Sequence, residues 1–430
     1  MSLADRVREL RTRMGVDVDT FARMAGAHPG AVREWEAGRS TITPDELDAA
    51  TRAAGLRVRD LALPPDSWPL DPLYFKSSGS GALVDAGAHR VIMEMRRCVA
   101  DLADLHQLLD RPRADVPRLA PPRADRPPYA ADLLAAQARD RLDLDATAPI
   151  ESMVRLFEQR RIALFVASSD LLPPSVQAAS TTHPLAATLV NDLGSDPRLR
   201  FALAHEICHL MVDSPEAGAE IVTSEWTRLA YDRSEIRADA FAACFLAPAP
   251  AVRALVRGAP SDEANVVTVA RVFGIGRVVA INRIAATFEL ADGVRDAMEM
   301  RAPGRWQHEL PEQLPPTGLR SGVLVEPTLA ALVAGKIDRV RARSILGVPL
   351  TEPLPARPGV PAELLAPVRD PLADVRNSVD RWLHEHDADL DTPVEDPVPV
   401  EGGWQVRVSL ASGAQLLHVS PALDVRAAQS

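Results

Sequence analysis

Residues His205-Glu-Ile-Cys-His209 constrain this chain more than any other string in its 430 residues. They lie within Phe201 to Asp213, where Leu203, Ala204, Ile207, Cys208, Leu210 and Met211 fill the gaps. That spacing predicts an apolar, mostly buried helix. On a helix, positions i and i+4 stand one turn apart on one face. His205 and His209 can therefore aim two imidazole nitrogens at one point, as a tetrahedral zinc ion requires. Glu206 points away from that line, free to hold a water at the metal instead of ligating. Asp196-Pro197 supplies a helix start, Asp as N-cap and Pro at the first position, and Pro215 supplies the stop. The bland alternative is a helix with two surface histidines and a solvated glutamate. Burial argues against it, because a His-Glu-His cluster on a buried helix needs partners.

Zinc also needs a third protein ligand while one position stays open. A metzincin would carry Gly at position 212 and His at 215, but the chain has Val212 and Pro215, which excludes that class. The better candidate lies in Ser234 to Pro248, where Ser234 is expected to cap a second helix and Pro248 to end it. Ala238, Phe241, Ala242 and Phe245 follow the spacing of a core face. Glu235 and Asp239 are i and i+4 on it. In one reading Glu235 ligates the metal and Asp239 accepts the far N–H of a ligand histidine, fixing its tautomer. In the other, Glu235 is a first-turn acid favoured by the helix dipole.

The strings Arg200-Phe-Ala-Leu-Ala-His-Glu-Ile-Cys-His-Leu210 and Glu235-x-x-Ala-Asp-x-Phe-Ala-Ala-x-Phe-Leu-x-Pro248 resemble the ImmA/IrrE family of zinc metallopeptidases, over roughly residues 130–250. The resemblance implies an α+β gluzincin-like fold with His205, His209 and Glu235 as zinc ligands and Glu206 as the catalytic residue. Many members have Asn where this chain has Asp239. Pro184 to Asn191 is similar to the family's strand ending in Asn. Such a strand either offers its edge to an extended peptide or is simply buried before the active-site helix. Tyr231 and His183 are the polar candidates for a donor to the tetrahedral oxyanion. Cys208 reads as a small core filler.

A second unit occupies the N-terminus. Residues 3–62 read as about five short helices: Leu3, Val7 and Leu10 form an apolar face, Asp17 caps a helix to Ala25, Gly26 turns the chain, and His28 to Ala37 follow. Helix, Gly-containing turn and helix form the helix-turn-helix pattern. Val7-Arg-Glu-Leu-Arg11, Phe21-Ala22, Gly26, Val32, Trp35-Glu36 and Gly38-Arg39 are similar to Xre/Cro-type DNA-binding domains. The likeness implies Val32 and Trp35 in the core, with His28, Gly30, Ala31, Arg33 and Arg39 toward double-stranded DNA. It also implies a homodimer on paired half-sites, although no coiled-coil heptad supports one. Val18 stands where the family often has Gln, and residues 1–62 carry ten arginines and ten carboxylates, so the unit is neutral. The alternative is a helical module for dimerisation or protein recognition.

The whole chain is then expected to be multidomain: an all-α helix-turn-helix domain at 1–65, a loop, long helix and Pro/Arg-rich linker at 66–128, an α+β gluzincin-like peptidase domain at 129–300, and a mixed helical and β-hairpin region at 301–430. Asp71 to Gly81 reads as a loop, Ala82 to Leu109 as an amphipathic helix, and Arg111 to Pro128 as a stiff extended linker. Gly335 is expected to divide two helices, Pro349 to Pro371 to link, and Trp404 to Leu410 with Gln415 to Val419 to form a hairpin. Three scattered cysteines without a CxxC fit a reducing cytoplasm, and no apolar run spans a membrane. A net charge of −11 argues against a broadly basic surface.

The expected function is zinc-dependent endopeptidase action on a protein, by resemblance a repressor of the Xre type, in stress response, mobile-element control or toxin–antitoxin regulation. A DNA-binding regulator whose peptidase-like domain senses a ligand is the rival. A toxin or defence effector with the same chemistry is a third reading.

Overall fold

The structure is a computed structural model that describes residues 2–65, 68, 86–112, 114–120, 127–168, 178–181, 185–192, 194–213, 220–221, 233–301, 310–320, 322–349, 351–368, 378–379, 381–383, 394–395, 397–400, 403–410, 413–420 and 425–427. Two compact units result, Met1–Pro327 and Thr328–Ser430.

The first unit begins with α1 (Leu3–Arg13), α2 (Val18–Ala25), α3 (Pro29–Glu36) and α4 (Pro44–Ala53), then a 3₁₀ turn at Val58–Ala62. Local chemistry sets their ends. Ser2 and Thr43 close reciprocal capping boxes with Asp5 and Glu46, and Asp17 accepts from the Thr20 N–H. Gly26, at φ 67°, takes the left-handed turn between α2 and α3. Val7, Leu10, Phe21, Val32, Trp35, Leu56 and Leu61 fill the core. Leu3 does not join them and is 41% exposed, because the apolar stripe of α1 starts one turn later, at Val7.

The long helix expected next is α5 (Ala86–Leu108); the loop at 71–81 lies outside the described residues. Met95, Cys98, Val99, Leu102 and Leu105 bury one face of α5, and ion pairs tie it to the N-terminal helices: Arg97–Asp48 at 2.7 Å and Arg57–Asp104 at 2.8 Å. Residues 111–112 and 114–120 form neither helix nor strand and are not a free linker. The Asp115 N–H donates to Arg160 O (2.9 Å) and the Leu119 N–H to Met211 O (2.8 Å), while Ala114, Val116 and Leu119 pack on the following core. The apolar residues between the prolines and arginines find a surface to cover.

The elements around that core are α6 (Pro127–Arg141), α7 (Met153–Gln159), β1 (Ala163–Ser168), β2 (Ala178–Thr181), β3 (Ala187–Asp192), α8 (Asp196–Cys208), β4 (Glu220–Ile221), α9 (Arg233–Leu246), α10 (Ala249–Leu255), α11 (Glu263–Phe273), α12 (Arg277–Thr287) and α13 (Asp292–Met300), and the helices with β1 and β3 supply most of its buried side chains. The sheet order is β1-β3-β2-β4, β3 running parallel to β1 and antiparallel to β2. This corrects the peptide-edge expectation for the strand ending at Asn191. Its backbone groups are taken on both sides, so it is the buried strand leading to α8.

Ser195, not Asp196, takes the N-cap position of α8, which shifts Pro197 to the second residue. Regular winding stops at Cys208, and His209–Asp213 form a π turn. Ser234 lies inside α9, one residue after its start. Beyond α13, residues 310–320 return along this domain. Glu312, fully buried, accepts from Ser152 Oγ (2.6 Å) and the Met153 N–H (2.8 Å) at the start of α7, and pairs with Arg200 of α8. The Gly318 N–H donates to Val166 O of β1 (2.8 Å). Arg320 reaches Glu94 of α5 (2.7 Å). Among the described residues no single helix is long and apolar enough to cross a membrane.

In the last hundred residues, α14 (Val325–Val333) and α15 (Arg339–Leu346) flank Gly335 as expected. The proline-rich stretch after them is more than a linker. It holds α16 (Ala362–Leu365), and buried Arg343 of α15 donates to Glu352 O, Leu365 O and Ala366 O. Three carbonyls of this stretch are thus gathered by one guanidinium. The expected hairpin is β6 (Gly403–Leu410) and β7 (Gly413–Val419), widened by β5 (Val398–Val400) and β8 (Val425–Ala427) into an antiparallel sheet.

Candidate metal centre

Helices α8 and α9 lie side by side, and their packing brings together three side chains that the sequence separates. His205, His209 and Glu235 each place one ligand atom within 4.8 Å of the others. The two imidazoles face each other through Nε2 at 3.0 Å. Glu235 sets one carboxylate oxygen 3.3 Å from His205 Nε2 and the other 3.5 Å from His209 Nε2. Two neutral nitrogens and one carboxylate oxygen converging on a point are the donor set of a three-ligand zinc site. The other face of each ring is also held: His205 Nδ1 meets Asp239 Oδ1 at 2.9 Å and His209 Nδ1 meets Asp213 Oδ2 at 2.8 Å. Both far nitrogens are thereby committed, which leaves both Nε2 atoms for a cation.

Burial and charge split the two imidazoles. For His205, burial works toward the neutral ring, but hydrogen bonds to Asp239 and Glu235 and the nearby charge of Glu206 outweigh it, raising its pKa to about 10. For His209 burial prevails and the pKa falls below the ordinary value. Glu206 is buried, 2% exposed, on the helix that carries both histidines. Cys208 lies in the core as a filler, its thiol pushed up to about 12 by burial.

The remaining sequence candidates fall into two groups. Tyr231 and His183 lie outside the described residues. The N-terminal set sits on or beside α3, but its charges are already engaged. His28 caps that helix, its Nδ1 accepting from the Gly30 N–H at 3.1 Å. Arg33 pairs with Asp19 at 2.8 Å, and Arg39 binds both carboxylate oxygens of Glu34 at 2.8 and 2.9 Å. Ala31 is partly buried against the helical core.

Reading the sequence missed Asp213 and Arg237. Asp213 carried a signal, since it stands four residues after His209 on the same helix. Arg237 carried none, because its contact with Asp213 exists only once α9 packs on α8.

No curated protein matches the chain significantly. Residues 171–285, which carry His205, Glu206, His209, Glu235 and Asp239, match the model of the peptidase M78 family, described as the IrrE N-terminal-like domain, so this part of the chain is similar to a family of metallopeptidases.

Proposed function

We propose that the chain is a zinc-dependent endopeptidase acting on a protein substrate, with His205, His209 and Glu235 as ligands. The observation that carries this reading is the convergence of both Nε2 atoms and the Glu235 carboxylate on one point, beside a buried Glu206. A bound zinc ion would supply Lewis acidity toward water and a peptide carbonyl. The chain's own residues do the rest. Asp239 and Asp213 hold the Nδ1 protons of His205 and His209, so that each ring presents its Nε2 lone pair. Glu206 takes a proton from the attacking water on its carboxylate and returns it to the leaving amine. Its burial keeps bulk water from competing for that proton.

The substrate proposed is a repressor of the helix-turn-helix type, by the likeness of the two motifs to ImmA/IrrE peptidases, with a cytoplasmic setting. The test is direct: measure bound zinc in the wild type and in Glu206→Ala, and co-express each with a candidate repressor. Both proteins should carry about one zinc, and only the wild type should yield fragments. Stoichiometric zinc without cleavage would sink the hydrolase reading.

A second reading, a regulator that senses a ligand through the same domain, is favoured by one feature. A cavity of about 230 Å³ lies at the start of α8, lined by Asn191, Ser195, Asp196, Leu199 and Leu314 among others. Asn191 is 4% exposed, and its side-chain amide finds no hydrogen-bond partner among the described residues. This reading predicts unchanged promoter control by Glu206→Ala.

A further inference from the structure

The histidine partners of the metal centre come from opposite helices. Asp239 reaches from α9 to His205 on α8. Asp213, at the end of the π turn that extends α8, holds His209 and extends its other oxygen to the Arg237 guanidinium on α9. The two carboxylates are not equivalent: Asp239 is 64% exposed and Asp213 only 14%. Solvent screens the first contact, whereas the second works in a drier setting where charge-assisted hydrogen bonds are stronger. Arg237 stands two residues after Glu235, so the position of the third ligand along α9 is tied through it to His209. A surface ion pair would require none of this shared geometry.

We propose that Asp213 and Arg237 form a clamp that positions the His209 imidazole and fixes the spacing between His209 and Glu235. The proposal rests on reading His205, His209 and Glu235 as metal ligands. Asp213 accepts the His209 Nδ1 proton and keeps the lone pair on Nε2. Arg237 holds that carboxylate in place, so the ring is kept in one orientation. Both are positioning residues, since neither faces the point where the three ligands meet.

The test uses the full chain and cobalt(II), whose visible absorption bands report coordination geometry. The proteins are the wild type, Asp213→Asn, Arg237→Gln, Arg237→Lys and Asp239→Asn. Three quantities are read: cobalt affinity against a competing chelator, the cobalt spectrum, and thermal unfolding of the metal-free protein. Asp213→Asn should weaken cobalt binding about 10- to 100-fold and move the bands. Arg237→Gln should act in the same direction by a smaller factor, Arg237→Lys should recover most of the loss, and the exposed Asp239→Asn should cost less than Asp213→Asn. A residue with a merely structural role would lower the unfolding temperature and leave the spectrum unchanged. Wild-type affinity and spectrum in Asp213→Asn would overturn the clamp. Should that variant not fold, identical cobalt binding by Arg237→Gln and Arg237→Lys would overturn it. Cobalt binding by the wild type without peptide cleavage defeats the hydrolase reading and leaves the clamp standing; no cobalt binding by the wild type defeats both.

Discussion

The N-terminal helices and the candidate metal centre use their charged residues in opposite ways. In α3 and its surroundings each charge is closed into a local pair: Arg33 with Asp19, Arg39 with Glu34, Arg11 with Glu36. Between α8 and α9 the charges converge instead. Glu235 and two imidazoles meet at one point, and Asp239 and Asp213 hold the far nitrogens of the rings. Local pairing yields a neutral, stable helical module. Convergence yields a site that gains most when a cation arrives. The contrast shows where in this chain polar side chains build a scaffold and where they build chemistry.

The largest test of that contrast is Glu206→Gln. On the proposed reading of Glu206 as proton carrier, this change should lower peptide cleavage about 10²- to 10⁴-fold while bound zinc, measured by metal analysis, stays at the wild-type level. Loss of the metal as well would mean that Glu206 belongs to the scaffold and would blur the comparison.

Next comes the buried pair behind α8. Arg200 and Glu312 both have fully buried side chains, so Glu312→Ala strands a guanidinium and should destabilise the fold by about 3–5 kcal/mol in denaturant unfolding. Gly274 sharpens the same point. Its φ is 62°, and an added Cβ would meet Arg200 Nε at 2.7 Å. Gly274→Ala should therefore destabilise by roughly 1–3 kcal/mol, a smaller loss on the same denaturation curve.

For the N-terminal module, the combined change Asp19→Asn with Glu34→Gln frees Arg33 and Arg39. If local pairing is what neutralises this surface, binding to double-stranded DNA should tighten severalfold, and its salt dependence should steepen by roughly two counterions. No change in titrations at two salt concentrations would break that half of the comparison.

The smallest effect is a pH dependence. Asp5 is held below its ordinary value first by the Ser2 hydroxyl, and Asp17 and Glu46 first by the backbone N–H groups of Thr20 and Thr43. Lowered carboxylate values mean the folded state binds protons less readily than the unfolded state. The caps therefore contribute fully above the unfolded values and lose that contribution as pH falls through the folded ones. Thermal unfolding of the N-terminal helices should shift down between about pH 5 and pH 3, and a flat profile would contradict the capping boxes.

How legible the site was depended on sequence distance. His205, Glu206 and His209 could be read because i and i+4 geometry is local, and Glu235 and Asp239 because their own helix repeats it. The start and end of α2 were equally plain, since Asp17 and Gly26 act within three or four residues. Glu312 gave no sign of its role, lying 112 residues from Arg200. The position of β3 inside the sheet was hidden as well, because strand pairing is decided by partners at 163–168 and 178–181.

By itself, then, the sequence determined approximate helix positions, the apolar faces and the two-histidine motif, all of which follow from contacts within one or two turns. Only the tertiary structure decided which carboxylate meets which imidazole, that Asp213 rather than solvent holds His209, and that Arg237 ties it to the helix carrying Glu235. Those contacts require α8 and α9 to pack side by side. That packing is set by apolar burial across the whole core, in which no polar residue of the site announces its partner.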